Sequence, residues 1–161
     1  MRKNIGLDPL PEAEPAPADP ARLDRDGLDA LLGFHIRRAH AAMCRDFNIA
    51  FQAFELTQKQ AATLWLIGAN PGVSQATLAA SLRMDRATMM VIIDRLEKAK
   101  LALRRRSTSD RRRQELHLTL AGRRMLAQTK VTVASHERAF TSRFSERELA
   151  DLIAALARLW A

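Results

Sequence analysis

Six arginines lie between positions 104 and 113, and one acidic residue interrupts them. The arginines are Arg104, Arg105, Arg106, Arg111, Arg112 and Arg113, and the acid is Asp110. A guanidinium group is planar and weakly hydrated, so it binds phosphate oxygens and enters the minor groove of DNA, where A·T-rich tracts strengthen the negative potential. The cluster therefore favours binding of a polyanion. A charge run alone is more often a solvated loop, so the neighbouring elements must decide.

The sequence contains no other set of residues with the spacing of a reactive site. The four histidines, His35, His40, His117 and His136, do not stand at metal-ligand spacing from Asp or Glu. A glycine-rich phosphate loop and a nucleophile motif are also absent. We therefore expect no catalytic residue, no metal site and no cofactor, and a protein that is not an enzyme.

The net charge of +8 also indicates a polyanionic partner, because Lys and Arg displace counterions from phosphates. No stretch approaches the roughly 20 apolar residues that span a bilayer, and the N-terminus lacks the apolar run of a signal peptide. We expect a cytoplasmic protein with no membrane partner. The single cysteine, Cys44, cannot form an internal disulfide, which agrees with a reducing compartment.

The distribution of prolines separates an N-terminal arm from the rest of the chain. Five of the six prolines lie in the first twenty residues, and residues 1–22 hold few large apolar side chains, so we expect a flexible arm. Residues 23–55 contain no proline, and their apolar residues recur every three or four positions. This pattern predicts one long helix, and so long an apolar stripe needs a second chain or a wrapped neighbour to cover it. We interpret it as a dimerisation helix.

Capping signals divide the next segment into short helices. Thr57 with Gln60 forms a capping-box pattern, Ser74 begins a helix of about two turns, and Asp85 begins another that runs to about Lys98. Two helices joined by so tight a turn predict a helix-turn-helix. In the second helix, apolar spacing predicts an outward face that reads DNA. That face comprises Arg86, Ala87, Met90, Val91 and Asp94.

The arginine cluster lies on the segment that follows. Residues 101–104 and 115–119 alternate apolar and polar side chains around a polar tip, which predicts a β-hairpin, or wing. Two closing helices are predicted from Leu120 to about Ala139 and from Glu146 to Trp160, the second capped by Ser145. The expected fold is mainly α with a small β wing: a winged helix-turn-helix over residues 56–120 and C-terminal dimerisation helices over 121–161.

Several fragments follow one another along the chain in a characteristic order. They are Leu56-Thr57-Gln58-Lys59-Gln60, Leu78-Ala79, Asp85-Arg86-Ala87-Thr88, Asp94-Arg95-Leu96-Glu97-Lys98, Ser109-Asp110-Arg111-Arg112 and Leu118-Thr119-Leu120-Ala121-Gly122-Arg123. Taken together, they resemble the signature of the MarR family of transcriptional regulators. The resemblance implies a homodimer whose first and last helices intertwine into one dimerisation region. This dimer is expected to bind a pseudo-palindromic operator on double-stranded DNA as a repressor, and it is usually released by a small ligand.

The resemblance also implies roles for single residues. Asp110 resembles the wing carboxylate that orients Arg112 for the minor groove, and Thr88 resembles the residue that contacts phosphate or a base edge. Val91 stands where many relatives have an arginine or another polar base reader. Lys100 replaces the usual glycine, so either this position needs a positive φ and lysine carries strain of about 1 kcal/mol or more, or the turn differs locally. The full set of predicted DNA contacts is Ser74, Gln75, Arg86, Thr88, Met90, Val91, Arg104, Arg106, Asp110, Arg111, Arg112 and Arg113.

The family's ligands are commonly aromatic acids and sometimes their coenzyme A thioesters. Candidate contacts for such an effector are His35, Arg38, His40 and Trp65, because a basic group beside apolar walls suits an aromatic carboxylate or the phosphates of a thioester. The stretch 34–39 also resembles relatives that control hydroxycinnamate breakdown, and so indicates aromatic compound catabolism. The alternative is that His35 is a packed interface residue and the arginines form a solvated face.

Two other functions stay open at this point. Some relatives release DNA when a cysteine of this helix is oxidised by a peroxide, so Cys44 is a candidate sensor, with Arg37 or Arg45 in place of the tyrosines that those relatives use. A nonspecific nucleoid or RNA-binding protein would also explain the charge. Against that function, the sequence has no aromatic stacking platform, and long apolar helices suit a symmetric dimer on paired half-sites.

Overall fold

The computed structural model describes residues 23–107 and 114–160. Within these residues the chain forms six α-helices and one two-stranded antiparallel sheet. The helices are α1 (Leu32–Ala50), α2 (Gln58–Ala69), α3 (Gln75–Ser81), α4 (Arg86–Lys98), α5 (Leu120–Thr141) and α6 (Glu146–Ala157), and the strands are β1 (Ala102–Arg106) and β2 (Gln114–Leu118). The expected fold class, mainly α with a small β wing, is confirmed. The predicted arm, residues 1–22, lies outside the described residues.

The prediction of one long helix over residues 23–55 is wrong in extent. The helix α1 covers Leu32–Ala50, and short 3-10 turns precede and follow it at Leu28–Ala30 and Gln52–Phe54. The helix does not extend to residue 23 because Asp26 and Gly27 have positive φ, at 45° and 78°, and the backbone is extended at Leu31. The assignment of this region to dimerisation stays a prediction.

The chain divides into two compact units, Met1–Arg38 and Ala39–Ala161. In the first unit, Phe34 lies under two guanidinium groups, with 5.9 Å from its ring centroid to Arg25 and 5.3 Å to Arg38. The imidazole of His35 lies 2.6 Å from the carbonyl oxygen of Asp29. These contacts fix the start of α1 against the turn before it.

The second unit is built on a core of aliphatic side chains. Leu64 and Ile67 of α2, Met89 and Ile93 of α4, and Leu116 of β2 are almost completely buried. Their removal from water is the main stabilising contribution in this region. The core leaves the opposite face of α4 uncovered, so it determines which side of that helix faces solvent.

The predicted caps are confirmed. The Thr57 side chain accepts from the backbone of Gln60 and the Gln60 side chain accepts from the backbone of Thr57, and Ser145 and Glu148 form the same reciprocal pair. Ser74 begins α3 in the same manner by accepting from the backbone of Thr77. These bonds satisfy N–H groups that a helix start leaves without partners.

A turn with a left-handed residue joins α4 to β1. Lys100 has φ 58°, its N–H donates to Glu97, and the N–H of Leu101 donates to the carbonyl of Leu96. This bond pattern is the Schellman motif, which glycine usually closes. Of the two alternatives for Lys100, the structure therefore has the first: lysine occupies a position of positive φ.

Among the described helices, none has the length and apolar character needed to cross a lipid bilayer.

Candidate nucleic-acid interface and neighbouring cavities

One face of α4 is exposed, as the apolar spacing predicts. Met89, Ile92, Ile93 and Leu96 are buried, whereas Arg86, Ala87 and Asp94 are exposed. Met90 and Val91 keep 48% and 46% of their surface accessible despite being apolar. The helix therefore presents a guanidinium, two exposed apolar side chains and a carboxylate together on its solvent face.

The first turn of α4 is fixed by a pair of short hydrogen bonds. Thr88 donates from its backbone N–H to Oδ1 of Asp85 at 2.7 Å and from its hydroxyl to Oδ2 at 2.6 Å. These two bonds, the hydroxyl bond first, hold the pKa of the Asp85 carboxyl below its ordinary value of 3.8. Because the hydroxyl hydrogen of Thr88 is engaged, Oγ1 is an acceptor in this arrangement. It suits a base amino group rather than a phosphate, which also only accepts.

The start of α3 presents two of the predicted contacts. Ser74 is half-buried, and its Oγ lies 3.1 Å from the backbone nitrogen of Thr77 and 2.8 Å from its hydroxyl. Gln75 is also half-buried, and its Oε1 accepts from Arg104 at 3.3 Å. The amide N–H₂ of Gln75 remains a donor beside the exposed start of the helix.

The strand β1 carries three of the arginines, and they differ in environment. Arg105 and Arg106 are exposed, whereas Arg104 is half-buried and pairs in register with Leu116. The guanidinium of Arg104 lies 2.7 Å from Oδ1 of Asp94 and also binds Glu97. Arg104 therefore binds α4 of its own chain. The predicted contacts Asp110, Arg111, Arg112 and Arg113 lie outside the described residues.

The four predicted effector contacts have different surroundings. His35 and Arg38 make the contacts described above within the first unit. His40 and Trp65 belong to the second unit and line two different cavities. Their shared role as effector contacts stays a prediction.

The cavity that Trp65 lines has a volume of about 410 Å³. Its walls include Phe47, Leu66, Leu82 and Val133, and His136 and Glu137 add polar groups. Trp65 itself lies 5.0 Å from the ammonium group of Lys130, measured to the ring centroid. A mostly apolar wall with a few polar groups is the usual character of a small-molecule site.

His136 is the buried polar group of this cavity. Its side chain is 3% exposed, and Nδ1 lies 2.6 Å from Oδ2 of Asp46 on α1. Its ring also packs edge-on against Phe47 and Phe140. His136 is not among the residues predicted from the sequence to contact an effector, because its partner Asp46 stands 90 positions away and no local pattern joins them.

The cavity that His40 lines lies between α1, the start of α2 and the exposed face of α4, and its volume is about 690 Å³. Cys44 lines it as well, with Sγ 3.4 Å from Nε2 of His40 and 3.5 Å from Oε1 of Gln58. Lys59 and Arg95 add positive charge, and Thr88 and Val91 form the wall on α4. In the described part of the chain, no group of three His, Cys, Asp or Glu residues is arranged to hold a metal ion.

The short helix α3, a tight turn and the partly exposed helix α4 form a helix-turn-helix, and the two-stranded wing of β1 and β2 follows it. This arrangement defines a winged helix-turn-helix protein. The sequence matches the model of the MarR family over residues 56–113. It is 35% identical to a putative transcriptional regulatory protein for the hcr operon of Thauera aromatica, over 99% of this chain and 93% of that protein. The chain therefore belongs to the MarR family, and it is a transcriptional regulator rather than an enzyme.

Solved structures agree with this assignment. The chain is similar to the transcriptional repressor CouR bound to a 23-mer DNA duplex, with 35% identity, a TM-score of 0.82, and coverage of 87% of this chain and 99% of that one. It is also similar to CouR bound to p-coumaroyl-CoA, with 32% identity, a TM-score of 0.77, and coverage of 86% and 97%.

Proposed function

We propose that the protein is a repressor that binds a pseudo-palindromic operator as a homodimer and dissociates when it binds an aromatic acid or its coenzyme A thioester. The observation that carries the proposal is the exposed face of α4 beside the basic strand β1. A helix that projects side chains from one exposed face fits the major groove, and arginines on the adjoining hairpin fit the flanking minor groove.

The contacts divide into two kinds. Arg86, Met90 and Val91 project from α4 and are assigned to base edges, with Met90 and Val91 suited to thymine methyl groups. Ser74, Gln75 and Arg106, together with the wing arginines 111–113, are assigned to phosphates and the minor groove. Phosphate contacts supply affinity for any sequence, whereas base contacts select one. Repression then follows when the bound dimer blocks polymerase.

Exposed apolar residues at the C-terminus support a homodimer. Leu152, Ile153 and Leu156 on α6, with Leu159 and Trp160 after it, keep between 38% and 62% of their surface accessible. A contiguous apolar face of this kind favours burial against another chain. A symmetric dimer places two recognition helices on half-sites about one helical turn apart.

The cavity beside Trp65 supports binding of an aromatic effector in this proposal. Trp65 and Phe47 offer stacking surfaces, and His136 offers a polar group among apolar walls. The similar structure of CouR holds p-coumaroyl-CoA, so a hydroxycinnamoyl thioester is the first compound to test. His35, Arg38 and His40 are proposed to contact the carboxylate or the thioester phosphates.

The test is selection of bound duplexes from a random DNA pool at near-physiological salt, followed by competition with aromatic acids and with p-coumaroyl-CoA. An enriched inverted repeat that one compound releases supports the proposal. Binding without an enriched motif, which collapses in modest salt, would replace it with a nonspecific nucleic-acid binder. Arg112→Ala should weaken binding to every sequence, and equal affinity at the same salt would remove Arg112 from the contacts.

A second function is favoured by the contact between Cys44 and His40. An imidazole 3.4 Å from Sγ can take the thiol proton, and the thiolate is the form that a peroxide oxidises to a sulfenic acid. Peroxide-dependent loss of operator binding in the parent, absent in Cys44→Ser and reduced in His40→Gln, would support a redox sensor. Operator binding that is unchanged by peroxide would exclude it.

A further inference from the structure

Arg104 connects three elements of the reading head, which we define as α3, α4, β1 and β2. From its place on β1, Nη2 donates to Oδ1 of Asp94 at 2.7 Å and to Oε1 of Gln75 at 3.3 Å. Nη1 donates to Oε2 of Glu97, and the backbone N–H of Arg104 donates to Oε1 of the same carboxylate at 2.8 Å. One side chain thus joins the wing strand to the recognition helix and to the start of α3.

The environment of Arg104 differs from that of its neighbours on β1. Its side chain is 23% exposed, whereas Arg105 and Arg106 are exposed to solvent. A guanidinium donates through a rigid planar fork, so its three bonds in fixed directions restrict its rotation strongly. Such an arginine is poorly placed to turn toward a phosphate, because turning the guanidinium would break its bonds to Asp94, Glu97 and Gln75.

The two carboxylates that Arg104 binds lie on α4, the helix that is proposed to contact DNA. Asp94 is on the exposed face of α4 and Glu97 lies one turn further along. A bare carboxylate next to a duplex repels the phosphates, and two of them on the recognition helix would repel them more strongly. The guanidinium of Arg104 offsets this charge while it fixes the angle between β1 and α4.

We propose that Arg104 is a positioning residue for operator recognition: it holds the wing and the recognition helix as one rigid unit and neutralises Asp94 and Glu97, and it does not itself bind a phosphate. This inference rests on the proposed function and replaces the direct DNA contact expected for Arg104 from the sequence. It follows that Arg104 acts on DNA through its two carboxylates.

A mutant cycle separates this role from a direct contact. We compare Arg104→Gln in the parent with Arg104→Gln in a background that carries Asp94→Asn and Glu97→Gln, and measure operator affinity across a series of salt concentrations. In the parent background the substitution should weaken operator binding about tenfold, and in the neutral background the loss should fall to about threefold or less, because the partners are already gone. Arg124→Gln, on the exposed surface of α5, is the control for the loss of one charge.

The salt series gives a second criterion. A lost phosphate contact lowers the slope of log affinity against log salt by about one, so Arg106→Gln should show that decrease and Arg104→Gln should not. An equal loss in both backgrounds together with a lower slope would overturn the proposal and make Arg104 a phosphate contact. No change in affinity in the parent background would overturn it as well.

The free protein provides a test that does not depend on an operator. Hydrogen exchange at the amides of β1 should be faster in Arg104→Gln than in the parent, and unchanged in Arg106→Gln, because Arg104 joins this strand to α4 through Asp94 and Glu97 whereas Arg106 is exposed. Equal exchange in all three proteins would refute the rigid unit even if no operator is found. Absence of an operator for the parent, with the exchange difference present, would instead refute the proposed function alone.

Discussion

The backbone of Gly122 lies directly against the carbonyl group of Leu101. A Cβ atom placed on Gly122 would be 1.9 Å from that oxygen, which no side chain can occupy. Thr119, the cap of α5, donates its N–H to the same oxygen at 3.1 Å and its hydroxyl to the carbonyl of Lys100 at 2.6 Å. The start of α5 is thus hydrogen-bonded to Lys100 and Leu101, the turn that joins α4 to the wing.

Gly122→Ala should destabilise the protein by about 1–3 kcal/mol, since the backbone of α5 or of the turn must shift. The sign of this change in stability is informative, because alanine in a helix is otherwise favoured over glycine by roughly 1 kcal/mol. Gly33→Ala on α1 is the matched control: a Cβ there meets no atom within 4 Å, so it should be neutral or stabilising. Chemical denaturation of both variants measures the difference. A Gly122→Ala variant as stable as the parent would show that the contact relaxes without cost.

At Lys100, in the left-handed turn, we expect that introducing a glycine stabilises the protein. Lys100→Gly should raise the free energy of unfolding by about 0.5–1 kcal/mol, because relief of the left-handed strain exceeds the entropy that glycine gains in the unfolded chain. Lys98→Gly, two positions earlier and inside α4, removes the same charge but should lower stability by about 1 kcal/mol. Urea denaturation of both variants and the parent shows whether each substitution raises or lowers the free energy of unfolding. Loss of stability in both variants would mean that the Lys100 side chain contributes more than its backbone costs.

Asp85, the cap of α4, should make the stability of the protein depend on pH in the acidic range. The bonds from Thr88 hold the pKa of Asp85 below its ordinary value of 3.8, so the carboxylate is favoured in the folded protein. Its contribution is complete above the unfolded pKa, about 4, and is lost as the pH falls through the lower folded pKa. In Asp85→Asn the amide oxygen can still cap the helix but does not titrate. Thermal unfolding across this range should therefore show a steeper acid loss for the parent than for Asp85→Asn, and parallel curves would contradict this account.

Local signals explain what the sequence predicted well. Caps such as Thr57 with Gln60 involve residues three positions apart, and the buried and exposed faces of α4 follow from a repeat of three and four. The length predicted for α1 was wrong because the backbone has a positive φ at Asp26, which interrupts the helix although the apolar repeat continues there. Apolar spacing reports which side of a segment is buried, and it does not report whether the backbone stays helical.

The missed features depend on distant partners. The bond between His136 and Asp46 spans 90 positions, and the bond between Arg104 and Gln75 spans 29. A run of arginines shows that anions are attracted, but not which arginine binds a carboxylate of its own chain. The distinction between Arg104 and Arg106 therefore required the packing of β1 against α4.

Val91 offers a direct test of how α4 selects a base. Its side chain is 46% exposed on the solvent face of α4. Val91→Arg should shift the preferred operator toward guanine at one position in each half-site, because arginine donates two hydrogen bonds to O6 and N7 of guanine, a pairing worth about 1–3 kcal/mol of discrimination. Val91→Leu keeps an apolar contact and should retain the parent's preference. Selection from a random DNA pool with the three proteins measures this directly. An unchanged preference in Val91→Arg would place position 91 away from the base edges and leave selection to Arg86 and Met90.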